Sequence, residues 1–500
     1  MNRGSCIIIG SGLGGLACGV ILAKNGYDVT ILEQAAQVGG CLQCFTRRGV
    51  KFETGMHFIG SVDDGQVLAR MLNYLGVRDE LALSSLDRDG YDVVSLCGDQ
   101  FKFPMGRERF IEQFSSYFPS QTDNIVNYYD LVKKVASASS LHSLKYGESD
   151  MAINTEYQLR SIDDVIEKLI DDPVLQNVLV GNLPLYAAVK GKTPFSSHAF
   201  IVDFYNQSAC RVVGGSDAIS RALVKKLEEH GGKVITRCKV KRILCDASRA
   251  TGVETEQGQC LAADYVVADI HPARLLEILD TKLIRPAFRR RIATLPNTVG
   301  GFSIYLHFKE NTVPYMNSNF YSYRGNTPWG CEEYDKSTWP KGYLYMHFCH
   351  TDNPVYALGG VILSYMRMEE LAPWFETTVG RRGTDYEEFK RVRAEILLSA
   401  VERDFPGLRN NIAHYYTSTP LTYRDYTGTE GGSMYGVAKD ITMGASCRVS
   451  HKTRVPNLFM TGQNVNSHGM LGVLVGAIVT CSEFIGNSEI YKQLSQADNG

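Results

Sequence analysis

A chain of 500 residues exceeds what one hydrophobic core serves, so two or three domains are expected, built from segments that need not be contiguous. With 44% hydrophobic and 21% charged residues it reads as ordered and globular, and a net charge of -2 argues against nucleic acid as a partner. The 13 cysteines are odd in number and irregularly spaced, which points to reduced thiols in a cytoplasmic protein and away from a disulfide scaffold.

Residues 1–5 carry one arginine, and the apolar run behind them, Cys6-Ile7-Ile8-Ile9, is four residues long before it meets glycine. That reads as a buried strand and not as a signal peptide. The strand enters Gly10, Gly12 and Gly15, a small-residue helix is predicted over 13–25, and a second β-branched run over 27–32 stops on Glu33. Strand, tight turn, helix and strand followed by an acid is the βαβ dinucleotide fingerprint. Gly10 permits the turn, Gly12 lets the backbone approach a pyrophosphate at the helix N-terminus, with Leu13 and Gly14 in the contact, and Gly15 lets helix and strand pack closely. Glu33, with Gln34 beside it, is placed to accept hydrogen bonds from the adenosine ribose, and its charge would repel a 2′-phosphate. Val38-Gly39-Gly40 then resembles the second flavin motif of FAD-dependent oxidoreductases, where paired glycines cross close to the pyrophosphate, so FAD and not NAD is the expected cofactor.

Cys41 and Cys44 form a CxxC, readable as a redox pair or half of a zinc site. No second ligand pair with suitable spacing appears, so packed thiols are expected, with Cys41 at the cofactor and no metal. A hairpin turning at Gly49 follows and ends on Gly55. From Gly39 to Gly60 the chain resembles retinol saturases, carotenoid isomerases and bacterial phytoene desaturases, through Gly39, Gly40, Cys41, Phe52, Glu53, Gly55, His57, Ile59 and Gly60. The resemblance implies that Gly55, Met56 and His57 lie at the flavin.

Beyond residue 62, helical spacing is predicted over 65–75, 107–117, 122–138 and 162–170, with a hairpin over 91–96 and 100–103 turning at Gly98-Asp99. His198 falls where saturase-like proteins often carry a histidine, although a lone histidine is usually a structural group. Arg211 to Ser216 leads into an amphipathic helix over 217–229, a strand over 233–236, an antiparallel pair over 240–244 and 252–256, and a strand over 261–269. This order resembles the middle FAD segment of the same group, which implies that the backbone of Val240 approaches the adenine. Strands over 298–308, 343–348 and 361–366 follow, then a helix over 386–403 with Ile396, Leu397 and Val401 inward. Tyrosine and methionine are dense here, which suits a long apolar substrate gripped by area.

Residues 419–436 resemble the saturase and isomerase pattern, and 457–464 reads as a strand whose glycine end opens into a helix. The resemblance implies cofactor contacts at Gly462, Gln463, Gly469, Leu471, Gly472 and Val473, with helix N-terminal amides against the flavin ring. The apolar stretch 470–479 is too short to span a bilayer, so no transmembrane helix is expected, and peripheral membrane association is left open.

The fold expected is α/β, with a doubly wound, discontinuous Rossmann-like FAD-binding domain in residues 1–80, 208–271 and 415–500. An α+β substrate domain with a mixed sheet takes 81–207 and 272–414. The resemblance implies reduction of a carbon–carbon double bond in a polyene or isoprenoid, with His57, Tyr435 and His468 as candidate proton donors. No second dinucleotide fingerprint is present, so NADH or NADPH as electron donor would bind without a Rossmann unit of its own. Desaturases and isomerases share the scaffold. So do amine-oxidase-like flavoenzymes, for which a carboxylate- or aromatic-caged site is expected, and flavin-free carriers of prenylated proteins, for which the glycines would be damaged.

Overall fold

The computed structural model describes residues 3–139, 144, 149–465 and 467–497, so the first two of residues 1–5 lie outside the described residues. Ser5–Ile9 is the middle strand of a five-stranded parallel sheet in the order Lys233–Ile235, Asp28–Leu32, Ser5–Ile9, Tyr265–Ala268, Leu458–Met460. Strands covered on both faces must be apolar at every position, which is why Cys6-Ile7-Ile8-Ile9 shows no alternation. Successive side chains still part company. Cys6 and Ile8 pack with Leu16, Val20 and Leu474 of the helical layer, and Ile7 and Ile9 with Ile243 and Val253 of a three-stranded antiparallel sheet opposite.

The helix Leu13–Lys24 is buried from Leu13 to Ala23 because Gly469–Ile485 and Asp217–Glu229 flank it. Its small residues permit close packing: a Cβ on Gly19 would stand 3.4 Å from Leu227 of the helix Asp217–Glu229, and one on Gly15 would run into the carbonyl oxygen of Gly10 in the turn before it. The 261–269 stretch, expected as one strand, is two. Cys260–Ala262 joins the antiparallel sheet and Tyr265–Ala268 the parallel one. The break is at Asp264, whose carboxylate accepts from the amide and hydroxyl of Ser5 at 2.8 and 2.9 Å.

A seven-stranded mixed sheet forms the second layer system, in the order Ile412–Ser418, Gly300–Phe308, Gly359–Met366, Gly342–His347, Asn319–Tyr323, Asp92–Leu96, Asp99–Phe103. Only the Asn319–Tyr323 and Asp92–Leu96 pair is parallel. One face carries Tyr321, Leu344, Met346, Val361 and Tyr365 towards the helices of residues 107–207, and the other carries Phe302, Ile304, Phe320, Tyr345 and Ile362 towards the helix Thr384–Asp404. That helix buries Ala394, Leu397, Leu398 and Val401, while Ile396 is 37% exposed, against expectation. A one-residue step rotates it about 100° off the stripe. Among the described residues no helix is long and apolar enough to cross a membrane.

Candidate active site

Between the two layer systems lies a cavity of ≈ 650 Å³. One arm is built by the glycine turn. Gly10 has φ +96°, and its Cβ would stand 2.6 Å from the carbonyl oxygen of Asp269; a Cβ on Gly12 would stand 2.6 Å from the Asp269 carboxylate. Gly462, at φ +89°, would place a Cβ against the same carboxylate, and Gly40, at φ +55°, one at 3.2 Å from the Cα of Gly12. The turn thus closes on Asp269, at the end of Tyr265–Ala268, whose carboxylate accepts from the Gly15 amide at 2.8 Å. Burial, opposed by the Gly15 hydrogen bond and reinforced by the Glu33 charge, pushes Asp269 up to about 7.

Gly12, Leu13 and Gly14 face the cavity, and the first amides of a helix have no intrahelical acceptor. Glu33 accepts from the amide and hydroxyl of Ser11 at 2.9 and 2.5 Å and from the Ala35 amide at 2.7 Å, which fixes its carboxylate at the wall beside Gln34. Gly39, Cys41 and Val240 line the cavity too. A dinucleotide fits this arm: it offers free amides where an anion would sit, and no Cβ where a backbone must be approached.

Gly55, Met56, His57, Gly462, Gln463, Gly469 and Val473 also line the cavity. Leu471 and Gly472 do not border it. On the helix Gly469–Ile485, Met470 and Val473 share a face three residues apart, while Leu471 turns into the core and Gly472 packs on Ser467. Gly15 likewise lies behind the lining, packed on Gly10. Cys41 remains a thiol, pushed up to about 11 by burial and by the Asp269 charge, and Cys44 packs 3.3 Å from the Ser216 hydroxyl. Among the described residues no His, Cys, Asp and Glu cluster could hold a metal.

The three candidate donors separate. His57 borders the cavity with Nδ1 3.4 Å from Glu53 Oε2, and its carbonyl accepts from Arg211 at 3.3 Å. Arg211 is fully buried and also donates to the Ser318 carbonyl and Asn319 Oδ1, at 3.1 and 2.9 Å, so a buried polar chain anchors the His57 segment. Tyr435 lines the cavity, but its hydroxyl donates to the Pro184 carbonyl at 3.0 Å, and burial raises its pKa. His468 stands behind it, with ring centroids 4.8 Å apart, and lines a different cavity. His198 is far from either role: it is fully buried between the hydroxyls of Tyr128 and Tyr186 at 2.8 and 2.7 Å, and burial pushes it down to about 3.

The other arm is apolar, walled by Phe58, Leu185, Leu344, Met346, Leu363 and Met434, with Tyr205 and Tyr423 beside them. Sequence reasoning named none of these as site residues. The signal was present in part, since Leu344 and Met346 alternate along one strand and so share a face. A Rossmann cradle meeting an apolar chamber under a mixed sheet defines a two-part flavoprotein oxidoreductase.

The chain belongs to the flavin-containing amine oxidoreductase family, whose profile matches residues 13–478. It is an FAD-dependent oxidoreductase. It is 29% identical to all-trans-retinol 13,14-reductase of Rattus norvegicus over 98% of this chain and 86% of that protein. To prolycopene isomerase 1, chloroplastic, of an Oncidium hybrid cultivar it is 22% identical over 98% and 85%. The crystal structure of an oxidoreductase from Methanosarcina mazei matches with a TM-score of 0.64 at 16% identity, over 96% of this chain and all of that one, which shows the shared fold.

Proposed function

We propose that the protein reduces a carbon–carbon double bond of an apolar polyene or isoprenoid, in the manner its retinol reductase relatives are named for. The apolar arm carries this reading: Phe58, Leu185, Leu344, Met346, Leu363 and Met434 offer area and no charge to a hydrocarbon, opening directly from the nucleotide arm. FAD held along Gly10–Gly14, Glu33, Gly39–Gly40 and Gly462–Gln463 supplies hydride chemistry, with NADH or NADPH as the electron donor. The chain's own part is to orient and to protonate. The apolar wall expels water and holds the double bond at the mouth of the cradle. His57 is the proton-delivering group, its ring 3.4 Å from the Glu53 carboxylate and its main chain anchored by Arg211, while Tyr435 and Tyr423 spend their hydroxyls on the carbonyls of Pro184 and Thr54, at 3.0 and 3.1 Å. A substrate of this kind partitions into membranes, so peripheral membrane contact accompanies a cytoplasmic location.

Anaerobic titration of the purified yellow protein with NADH and NADPH, followed by mixing with all-trans-retinol, tests the reading. Bleaching by a nicotinamide, with return of colour and loss of polyene absorption on mixing, is expected. Reduced protein that ignores polyenes while the oxidised protein is bleached by primary amines would overturn it.

A further inference from the structure

A second cavity, of ≈ 430 Å³, adjoins the first, with His468 on its wall and Tyr435, tilted 39° against that ring, on the wall of the other. Much of its lining is apolar: Ala187, Ala188, Val189, Val299 and Tyr365. Two polar groups there stand close together, and one of them has no partner. His468 is 8% exposed, and neither ring nitrogen has a hydrogen-bond partner among the described residues. A buried imidazole without a partner is costly unless a ligand supplies one. Lys439 faces it closely enough that its charge helps push the imidazole down to about 3, after burial itself. The Lys439 ammonium is in turn lowered to about 8 by burial, and the groups acting on it electrostatically are Cys447 and Arg448, neither a carboxylate.

The nearby acid in sequence, Asp440, is engaged otherwise, accepting from the amide and hydroxyl of Thr442 at 2.8 and 2.6 Å. Lys192, Arg367 and Glu369, also on the lining, are exposed, and Glu332 is raised by burial beside Glu333. One region of the cavity therefore presents an ammonium and an imidazole whose neighbouring carboxylate, Asp440, is committed to Thr442, and Ala187, Ala188, Val189, Val299 and Tyr365 present hydrocarbon. One monovalent anion on an apolar body matches both.

We propose that this cavity binds a carboxylate-bearing apolar small molecule, its carboxylate received by Lys439 and His468 and its hydrocarbon by Ala187, Ala188, Val189, Val299 and Tyr365. The carboxylate has two sources, the oxidised end of an isoprenoid whose far end reaches the first cavity, or a separate small acid. The proposal does not rest on polyene reduction, because its test needs no turnover.

Calorimetric titration of the FAD-loaded protein with geranic acid, and with geraniol as the uncharged counterpart, reads it. Geranic acid is expected to bind, and Lys439→Gln to weaken it about tenfold or more with geraniol unaffected. His468→Asn is expected to act in the same direction. Equal affinity of wild type and Lys439→Gln for geranic acid, or no binding, would overturn the proposal. A measurement on the unaltered protein stands beside it: acetylation of Lys439, followed by mass spectrometry, is slowed by geranic acid and not by geraniol, and absence of protection counts against the site. Competition between geranic acid and all-trans-retinol assigns the carboxylate to the substrate's own end, and simultaneous binding assigns it to a separate acid.

Discussion

Replacing Asp92 with asparagine should stabilise the protein at pH above about 7 and leave it nearly unchanged below about 4. Asp92 is fully buried in the seven-stranded sheet, where Oδ1 accepts from Asn319 Nδ2 at 2.8 Å and Oδ2 has no hydrogen-bond partner among the described residues. Burial raises its pKa from 3.8 to about 7, against the lowering pull of the Asn319 hydrogen bond and the Arg211 charge. Between those two values the folded protein holds a proton that the unfolded chain has released. Stability therefore falls as pH rises through the window and levels off above it. At about 1.4 kcal/mol per pH unit, a window of roughly three units amounts to about 4 kcal/mol. Asparagine keeps the acceptor for Asn319 and never ionises. Asp269, also raised to about 7, contributes the same slope to both proteins and cancels in their difference. Urea unfolding at about pH 5 and about pH 8 measures that difference, which is expected to grow in favour of the variant. A difference independent of pH would refute the reasoning.

Gly462→Ala should strip the flavin: its φ of +89° and the Asp269 carboxylate in the path of a Cβ leave no strain-free conformation, at about 2 kcal/mol or more, seen as a lower flavin-to-protein absorbance ratio after gel filtration. Glu53→Gln should lower kcat roughly tenfold or more with KM little changed, because His57 loses the negative charge 3.4 Å from its ring; an unaltered kcat would remove His57 as proton donor. His198→Phe leaves the hydroxyls of Tyr128 and Tyr186 without their buried partner and should cost about 2–4 kcal/mol in stability, with flavin content retained, measured by denaturation and absorbance together.

The cofactor arm was legible because its determinants are local. Strand, glycines, helix, strand and acid lie within 29 residues of one another, from Ser5 to Glu33, and each obeys a backbone rule. Asp269 was not legible, because its meaning comes from the Gly15 amide 254 residues away. The helix Phe195–Gln207 was missed for a related reason: Phe195, His198, Val202, Phe204 and Asn206 are buried around much of its circumference, so no stripe shows. Met151–Leu159 buries no residue and shows no stripe either, and Pro173–Leu179 is two turns long. The strand Ile412–Ser418 sits at the sheet edge, with His414 exposed and Tyr415 and Tyr416 half-buried, which blurs alternation. The helix Arg107–Tyr117 was read to the residue, since Phe110 and Phe114 mark its buried face four apart.

The family name points to amines, and the site argues otherwise through its carboxylates. The tyrosine faces of Tyr205, Tyr423 and Tyr435 would suit a cation or a conjugated chain equally. A protonated amine needs more, namely an uncommitted negative charge in a desolvated chamber. Every acid lining the large cavity is already engaged. Glu33 and Asp269 hold backbone amides of the glycine turn. Glu256 pairs with Lys239 at 2.6 Å, Glu277 with Arg274 at 2.7 Å, and Asp425 with both Arg382 and Arg424. Glu53 does not line the chamber and lies 3.4 Å from Nδ1 of His57, which does. A scaffold shared with amine oxidases has thus been lined so that the nucleotide arm keeps its charges paired, and the reacting arm offers an uncharged surface with one imidazole. That arrangement favours a neutral hydrocarbon that accepts one proton.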